Sequence, residues 1–175
     1  MRGGRAVEAE AALRHALTLD PQLAGQLSLQ LAKTRRAMGD YDGSIKIFIQ
    51  VLEKSPSLLS VHPASGIASL QELIAAAKKR PGEMTYGTSG TGSVGNMIGE
   101  LLSQRAGIKL VHVPYKGSGA GMVALLSGEI SMYFANIPVA IQHVRNGRLR
   151  PVALSGTRRN PAVPGIPTLS ESGLV

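Results

Sequence analysis

Cysteine and tryptophan are absent from the 175 residues, and four tyrosines and two phenylalanines supply all the aromatic rings. Without thiols there is no disulfide framework, no thiolate metal site and no cysteine nucleophile, and cysteine usage leaves the redox compartment open. So few rings also count against nucleic acid as a partner, because single strands are held largely by stacking on aromatics. No stretch approaches the roughly 18 uninterrupted apolar residues of a membrane-spanning helix. Acidic residues number 11 against 19 lysines and arginines, too sparse for a paired acid/base site, and the four histidines do not cluster at metal-ligand spacing. The opening Met1-Arg2-Gly3-Gly4-Arg5-Ala6-Val7-Glu8 runs into glutamates instead of an apolar stretch, so the chain as written has no export leader and is expected in the cytoplasm.

What is present is enough apolar content, 43%, for a packed core, and a net charge of +8. The charge is uneven. Residues 1–57 hold 8 basic and 6 acidic residues and residues 58–175 hold 11 and 5, so +6 of the +8 sits in the second part. Lys78-Lys79-Arg80 and Arg145, Arg148 and Arg150 fall at predicted helix ends, where cations complement the dipole. They read as solvated surface, with attraction of acidic solutes or phosphates as the functional alternative.

Two unlike segments follow one another. Residues 1–57 show helical spacing only, in Ala9, Leu13, Ala16 and Leu17, then Leu27, Leu31 and Ala32, then Ile45, Phe48, Val51 and Leu52. The run from Met38 to Pro56 resembles the turn and second helix of a tetratricopeptide repeat, and Pro21 to Pro56 spans 35 residues, close to the repeat period of about 34. A plain helical hairpin is the alternative. Residues 58–175 switch to strand and helix alternation. Strands are expected near 58–61, 84–87, 110–113, 130–134 and 151–155, with helices near 69–79, 93–105, 119–126 and 138–145. This alternation predicts an α/β lobe with a mainly parallel sheet, whose ligands bind beyond the carboxyl ends of the strands.

Three connections gather at that edge. The first, Tyr86-Gly87-Thr88-Ser89-Gly90-Thr91-Gly92-Ser93-Val94-Gly95, places glycines and hydroxyls before a helix, where unpaired N–H groups hold an anion. It satisfies Gly-x-Gly-x-x-Gly, but the next strand is followed by Pro114-Tyr115-Lys116, with no acid for a ribose hydroxyl, so a nucleotide-dependent or NADP enzyme stays a lesser alternative. A phosphate-binding loop needs lysine where Ser93 stands, and Ser89 is flanked by Gly87 and Thr91 where a nucleophile elbow needs two glycines. His15, His62, His112 and His143 read as packing or surface histidines. The remaining chemistry is neutral recognition by hydroxyls, amides and helix N-termini, which suits a carboxylate. Glycine and serine serving only as tight turns is the bland alternative.

The motifs at residues 85–93, Val111-His112-Val113-Pro114-Tyr115-Lys116-Gly117, Phe134-Ala135-Asn136-Ile137-Pro138 and Ile166-Pro167-Thr168-Leu169-Ser170-Glu171-Ser172-Gly173 resemble the tripartite tricarboxylate transporter receptors, the Bug or TctC-like solute-binding proteins. The resemblance covers about residues 58–175. It implies a periplasmic-binding-protein-like lobe, a small carboxylate solute as ligand, a membrane permease as partner, periplasmic placement, and neither enzymatic activity nor a cofactor. By position, Thr88, Ser89, Gly90, Thr91, Gly92 and Ser93 would meet the carboxylate, Lys116 and Gly117 would shape the second loop, and Asn136 would close the third. Ala135 stands where the family usually has aspartate. The matched part corresponds to the second of two lobes, so the resemblance implies a truncated or fused receptor, with affinity in the millimolar range or weaker, about 4 kcal/mol. The alternative from another class is a protein-interaction module in which residues 1–57 bind a protein partner and the α/β lobe is a scaffold.

Overall fold

The computed structural model describes residues 56–174. The chain divides into two units, Met1–Ser55 and Pro56–Val175, and the tetratricopeptide-like segment expected over residues 1–57 lies almost wholly outside the described residues. The second unit contains five strands, β1 (Ser57–Val61), β2 (Thr85–Thr88), β3 (Val111–Pro114), β4 (Met132–Asn136) and β5 (Arg150–Leu154). Between them run a 3-10 turn (Pro63–Ser65) and four helices, α1 (Leu70–Lys79), α2 (Val94–Ala106), α3 (Ser118–Leu126) and α4 (Ile137–Arg145). Each of these strands and helices overlaps an expected one.

The sheet order is β3-β2-β4-β1-β5. β2 pairs in parallel with β3 and β4, whereas β1 is antiparallel to both β4 and β5. The α/β class holds, and the sheet is mixed, with four strands pointing one way and β1 opposing them. Sequence does not signal this reversal, because Ser-Leu-Leu-Ser-Val is buried at all five positions and a doubly covered strand carries no alternation. The β1–β5 register shifts between Leu59 and Ser60, beside Pro151. A proline has no N–H for the ladder, and β5 tolerates it at an irregularity in a strand at the end of the sheet.

Adjacent residues of each strand serve opposite faces. Tyr133 lies in one apolar cluster with Met122 and Leu125 of α3 and Ile137 and Ala140 of α4. On the other face, a Cβ at Gly95 would press on Phe134 and one at Gly99 would overlap the Tyr86 ring, so α2 lies directly on β2 and β4. Glycines at i and i+4 make a flat stripe that lets the backbone approach these two rings.

Candidate functional site

The parallel strands β2, β3 and β4 deliver their carboxyl ends to one edge, since Thr88 pairs with Pro114 and β4 ends at Asn136. Residues 89–93, 115–117 and 136 are therefore brought to the same edge, as expected. Because β1 is antiparallel, its first residue also lies there. Ser57 faces Asn136 in register, its N–H donates to Ser155 Oγ at 2.8 Å, and the Ser155 N–H returns a bond to Ser57 O at 2.9 Å.

The glycine run spends much of its donor capacity on itself. Thr88 is fully buried, and its Oγ1 accepts from the Gly90 N–H at 3.2 Å, donates to the Gly90 carbonyl at 3.0 Å and meets His112 Nε2 at 2.7 Å. The 2.7 Å contact joins the Thr88 hydroxyl to the His112 ring, the donor of the two being set by the ring tautomer. The Gly92 N–H donates to Asn96 Oδ1 at 2.9 Å, and the Ser93 N–H to the Gly90 carbonyl at 3.2 Å. Positive φ at Gly90 (140°) and Gly92 (76°) permits this winding. Ser89 and Thr91 remain: both are exposed, and neither amide has a partner among the described residues.

Three helix N-termini reach this edge in different states. Ser93 caps α2, its Oγ accepting from the Asn96 N–H at 3.3 Å. The cap of α3 is Gly117 (φ 95°), which has no side chain to offer, and Asn136 at the head of α4 makes no side-chain capping bond. The first-turn amides of α3, at Ser118, Gly119 and Ala120, are therefore open to an anion. Lys116 and Gly117 lie beside them, exposed, and Gly117 donates to Tyr115 O at 3.0 Å and Ser89 O at 3.4 Å, joining the first loop to the second. Beneath α3, the buried Tyr133 ring packs under Gly121; burial raises its pKa, which the nearby Ser118 hydroxyl lowers in part.

Behind the glycine run is a polar chain. Asn96 Nδ2 donates to Tyr86 Oη at 3.0 Å, and Tyr86 Oη donates to Glu100 Oε1 at 2.6 Å. The Tyr86 ring stacks on His112 with centroids 4.9 Å apart and meets Phe134 edge-on at 6.1 Å. Burial, then the Glu100 carboxylate, pushes the Tyr86 phenol well above its ordinary value; burial lowers His112, against an opposing pull from Glu100. Tyr86, Asn96, His112 and Ser118 were not singled out as site residues from sequence. One signal was available: Ser69-x-x-Glu72 and Ser93-x-x-Asn96 have the spacing of a capping box. In both, the side chain three residues after the cap reaches back to the amide preceding it, Glu72 to the Ala68 N–H at 2.7 Å and Asn96 to that of Gly92.

A cleft of about 460 Å³ opens at the opposite edge, lined by His62, Ile67, Arg80, Glu83, Met84 and Ser131 among others. It receives the carboxyl ends of α1 and α3, whose dipoles are negative there, and Glu83 stands beside Arg80, so an anion is better placed at the first edge.

The edge presents open amides, hydroxyls and one lysine on an α/β lobe, a donor set chemically suited to a small anion. The profile of the tripartite tricarboxylate transporter family receptor matches residues 42–175, and the chain belongs to that family. It is 36% identical to Protein BugT of Bordetella pertussis over 118 residues, 67% of this chain and 36% of that protein, and 38% identical to a protein of the gbd 5' region of Cupriavidus necator over 116 residues, 66% and 35% respectively. The chain thus spans about a third of the length of these curated relatives. Among solved structures, R. palustris Rpa4515 with adipate superposes with a TM-score of 0.66 at 34% identity, covering 69% of this chain and 40% of that one. MatC of Rhodopseudomonas palustris with bound malate gives 0.64 at 26%, covering 69% and 41%. The family is a substrate-receptor class, as expected from sequence.

Proposed function

We propose that the carboxyl edge of this sheet is the carboxylate-recognising part of a solute receptor that serves a tripartite tricarboxylate-type permease, and that the chain acts by binding and not by catalysis. One observation carries the reading: open donors from Ser89, Thr91 and the uncapped N-terminus of α3 converge at one edge, and the connections from β2 to α2, β3 to α3 and β4 to α4 contain no acidic residue. A carboxylate accepts several such bonds at once, and bonds to a charged acceptor are the stronger kind. The relatives solved with adipate and with malate support a dicarboxylate as the solute class. A 32%-identical relative described as a periplasmic transporter supports work in the periplasm. Thr88, Gly90 and Gly92 shape this site through internal bonds, whereas Ser89, Thr91, the Ser93 hydroxyl, Lys116 and Asn136 are the groups placed to meet solute or its bound water.

The test is a titration of the full chain with adipate and malate, followed by ¹H–¹⁵N spectra. Saturable shifts at Ser89, Thr91 and Ser118–Ala120 are expected, with binding weakened about tenfold or more in Ser89→Ala combined with Thr91→Ala, as for loss of bonds to a charged group. Absence of saturable shifts with either diacid, or saturation by NADP alone, would sink the reading.

A further inference from the structure

Two alternate amides of the glycine run, Gly90 and Gly92, are turned into the protein by separate arms, and both arms end on one side chain. Along the first, the Gly92 N–H is held by Asn96 Oδ1 at 2.9 Å, and the Asn96 amide is fixed in turn by Tyr86 Oη at 3.0 Å. That phenol can accept from Asn96 because its own proton is committed to Glu100 Oε1 at 2.6 Å. Along the second, the Gly90 N–H is held by Thr88 Oγ1 at 3.2 Å, that oxygen is held by His112 Nε2 at 2.7 Å, and the His112 ring lies stacked on the Tyr86 ring, centroids 4.9 Å apart and planes 27° from parallel. Tyr86 is itself immobilised. It is 1% exposed, lies against the bare backbone of Gly99 and has Phe134 on its edge.

We infer that Tyr86 is the positioning residue of the solute site: its hydroxyl and its ring independently turn the Gly92 and Gly90 amides inward, which leaves the neighbouring Ser89 and Thr91 amides facing outward before solute arrives. The inference rests on the carboxylate reading for what the outward amides bind, but the two arms stand on their own distances. Pre-setting a loop removes the ordering cost that a flexible glycine run would otherwise charge against each binding event, which matters most where a site is open to water. It also fixes selectivity. A run with all its amides free would wrap a phosphate, as phosphate-binding loops do, whereas one with alternate amides committed offers the sparser donor set of a carboxylate site.

The two arms make the inference separable from a general loss of packing. Amide hydrogen exchange and ¹H–¹⁵N spectra are read on the full chain carrying Tyr86→Phe, which keeps the ring and removes the hydroxyl, and on His112→Phe, which keeps the stack and removes the nitrogen that holds Thr88. In Tyr86→Phe the Gly92 amide should exchange about fivefold faster or more, the factor for a lost hydrogen bond, with Gly90 unchanged. In His112→Phe the Gly90 amide should respond and Gly92 should not. Asn96→Asp retains the acceptor for Gly92 without the donor to Tyr86, and should protect Gly92 better than Asn96→Ala does. Adipate affinity should fall severalfold in both phenylalanine variants while their melting temperatures stay above the titration temperature. Equal acceleration of both glycines in either variant, or of neither in both, overturns the positioning role. If the glycines respond as described but wild-type protein shows no adipate shifts, the carboxylate reading fails and the two-arm geometry stands.

Discussion

Thr88 and Ser89 are neighbours with opposite assignments. A strand residue's side chain alternates between faces, so Thr88 turns into the protein, fully buried, and its hydroxyl is consumed by Gly90 and His112, while Ser89, one step past the strand end, is exposed. From sequence both are expected to meet the ligand, because residue type shows which atoms can donate but not which are already engaged. His112 is the residue where this matters for pH. Burial lowers its pKa below the ordinary histidine value of about 6.5. A base with a depressed folded-state pKa is neutral in the fold and takes up its proton more readily unfolded, so its stabilising contribution is present above about pH 6.5 and is lost as pH falls through the folded value. The melting temperature of wild-type protein should therefore drop between pH 7.5 and pH 5.5 more than that of His112→Phe does. Equal drops in the two proteins would remove His112 from this titration.

At the scale of elements, α2 carries the heaviest constraint. Its N-terminus must be capped by Ser93 while its Gly95 and Gly99 lie flat on Phe134 and Tyr86. Adding one methyl at Gly99 drives it into the Tyr86 ring, so Gly99→Ala should cost about 1–3 kcal/mol, the usual price of overpacking, despite alanine's better helix propensity. Urea unfolding measures this, and an increase in stability would show that α2 does not bear on the ring. The four helices and five strands were legible because their signals are local: capping serines at Ser69 and Ser93, the αL glycine Gly107 after α2, and apolar periodicity. The direction of β1 was not legible, since Ser57–Val61 pairs with β4 and β5 more than 70 residues away and no local pattern encodes orientation. The candidate loops were legible in outline for a related reason. The loops announce themselves by glycine and hydroxyl content, but the bonds from Asn96, Tyr86 and His112 that decide which amides remain open join different elements. The uncapped state of α3 was half visible, as Gly117 offers no capping side chain.

At the scale of the whole described unit, the sheet has two unequal edges. The carboxyl edge gathers the N-termini of α2, α3 and α4, and the opposite edge gathers carboxyl ends of helices around the cleft lined by Arg80, Glu83 and Met84. Volume alone would favour the cleft; the direction of the helix dipoles favours the loops. The loops, however, enclose little. Ser89, Thr91, Lys116, Gly117 and Asn136 are all exposed, so a diacid bound there keeps one side in water, and each charged hydrogen bond competes with hydration. Receptor-type pockets bury most of a ligand's surface, and on the proposed reading this edge is one wall of such a pocket. Adipate and malate should consequently bind the chain with a Kd of about 1 mM or weaker, about 4 kcal/mol, with amide shifts confined to residues 89–93 and 117–120. Micromolar affinity would mean that a second wall is in place around the solute. Shifts centred on Ile67, Arg80 and Met84 would transfer the site to the opposite edge, against the dipole argument.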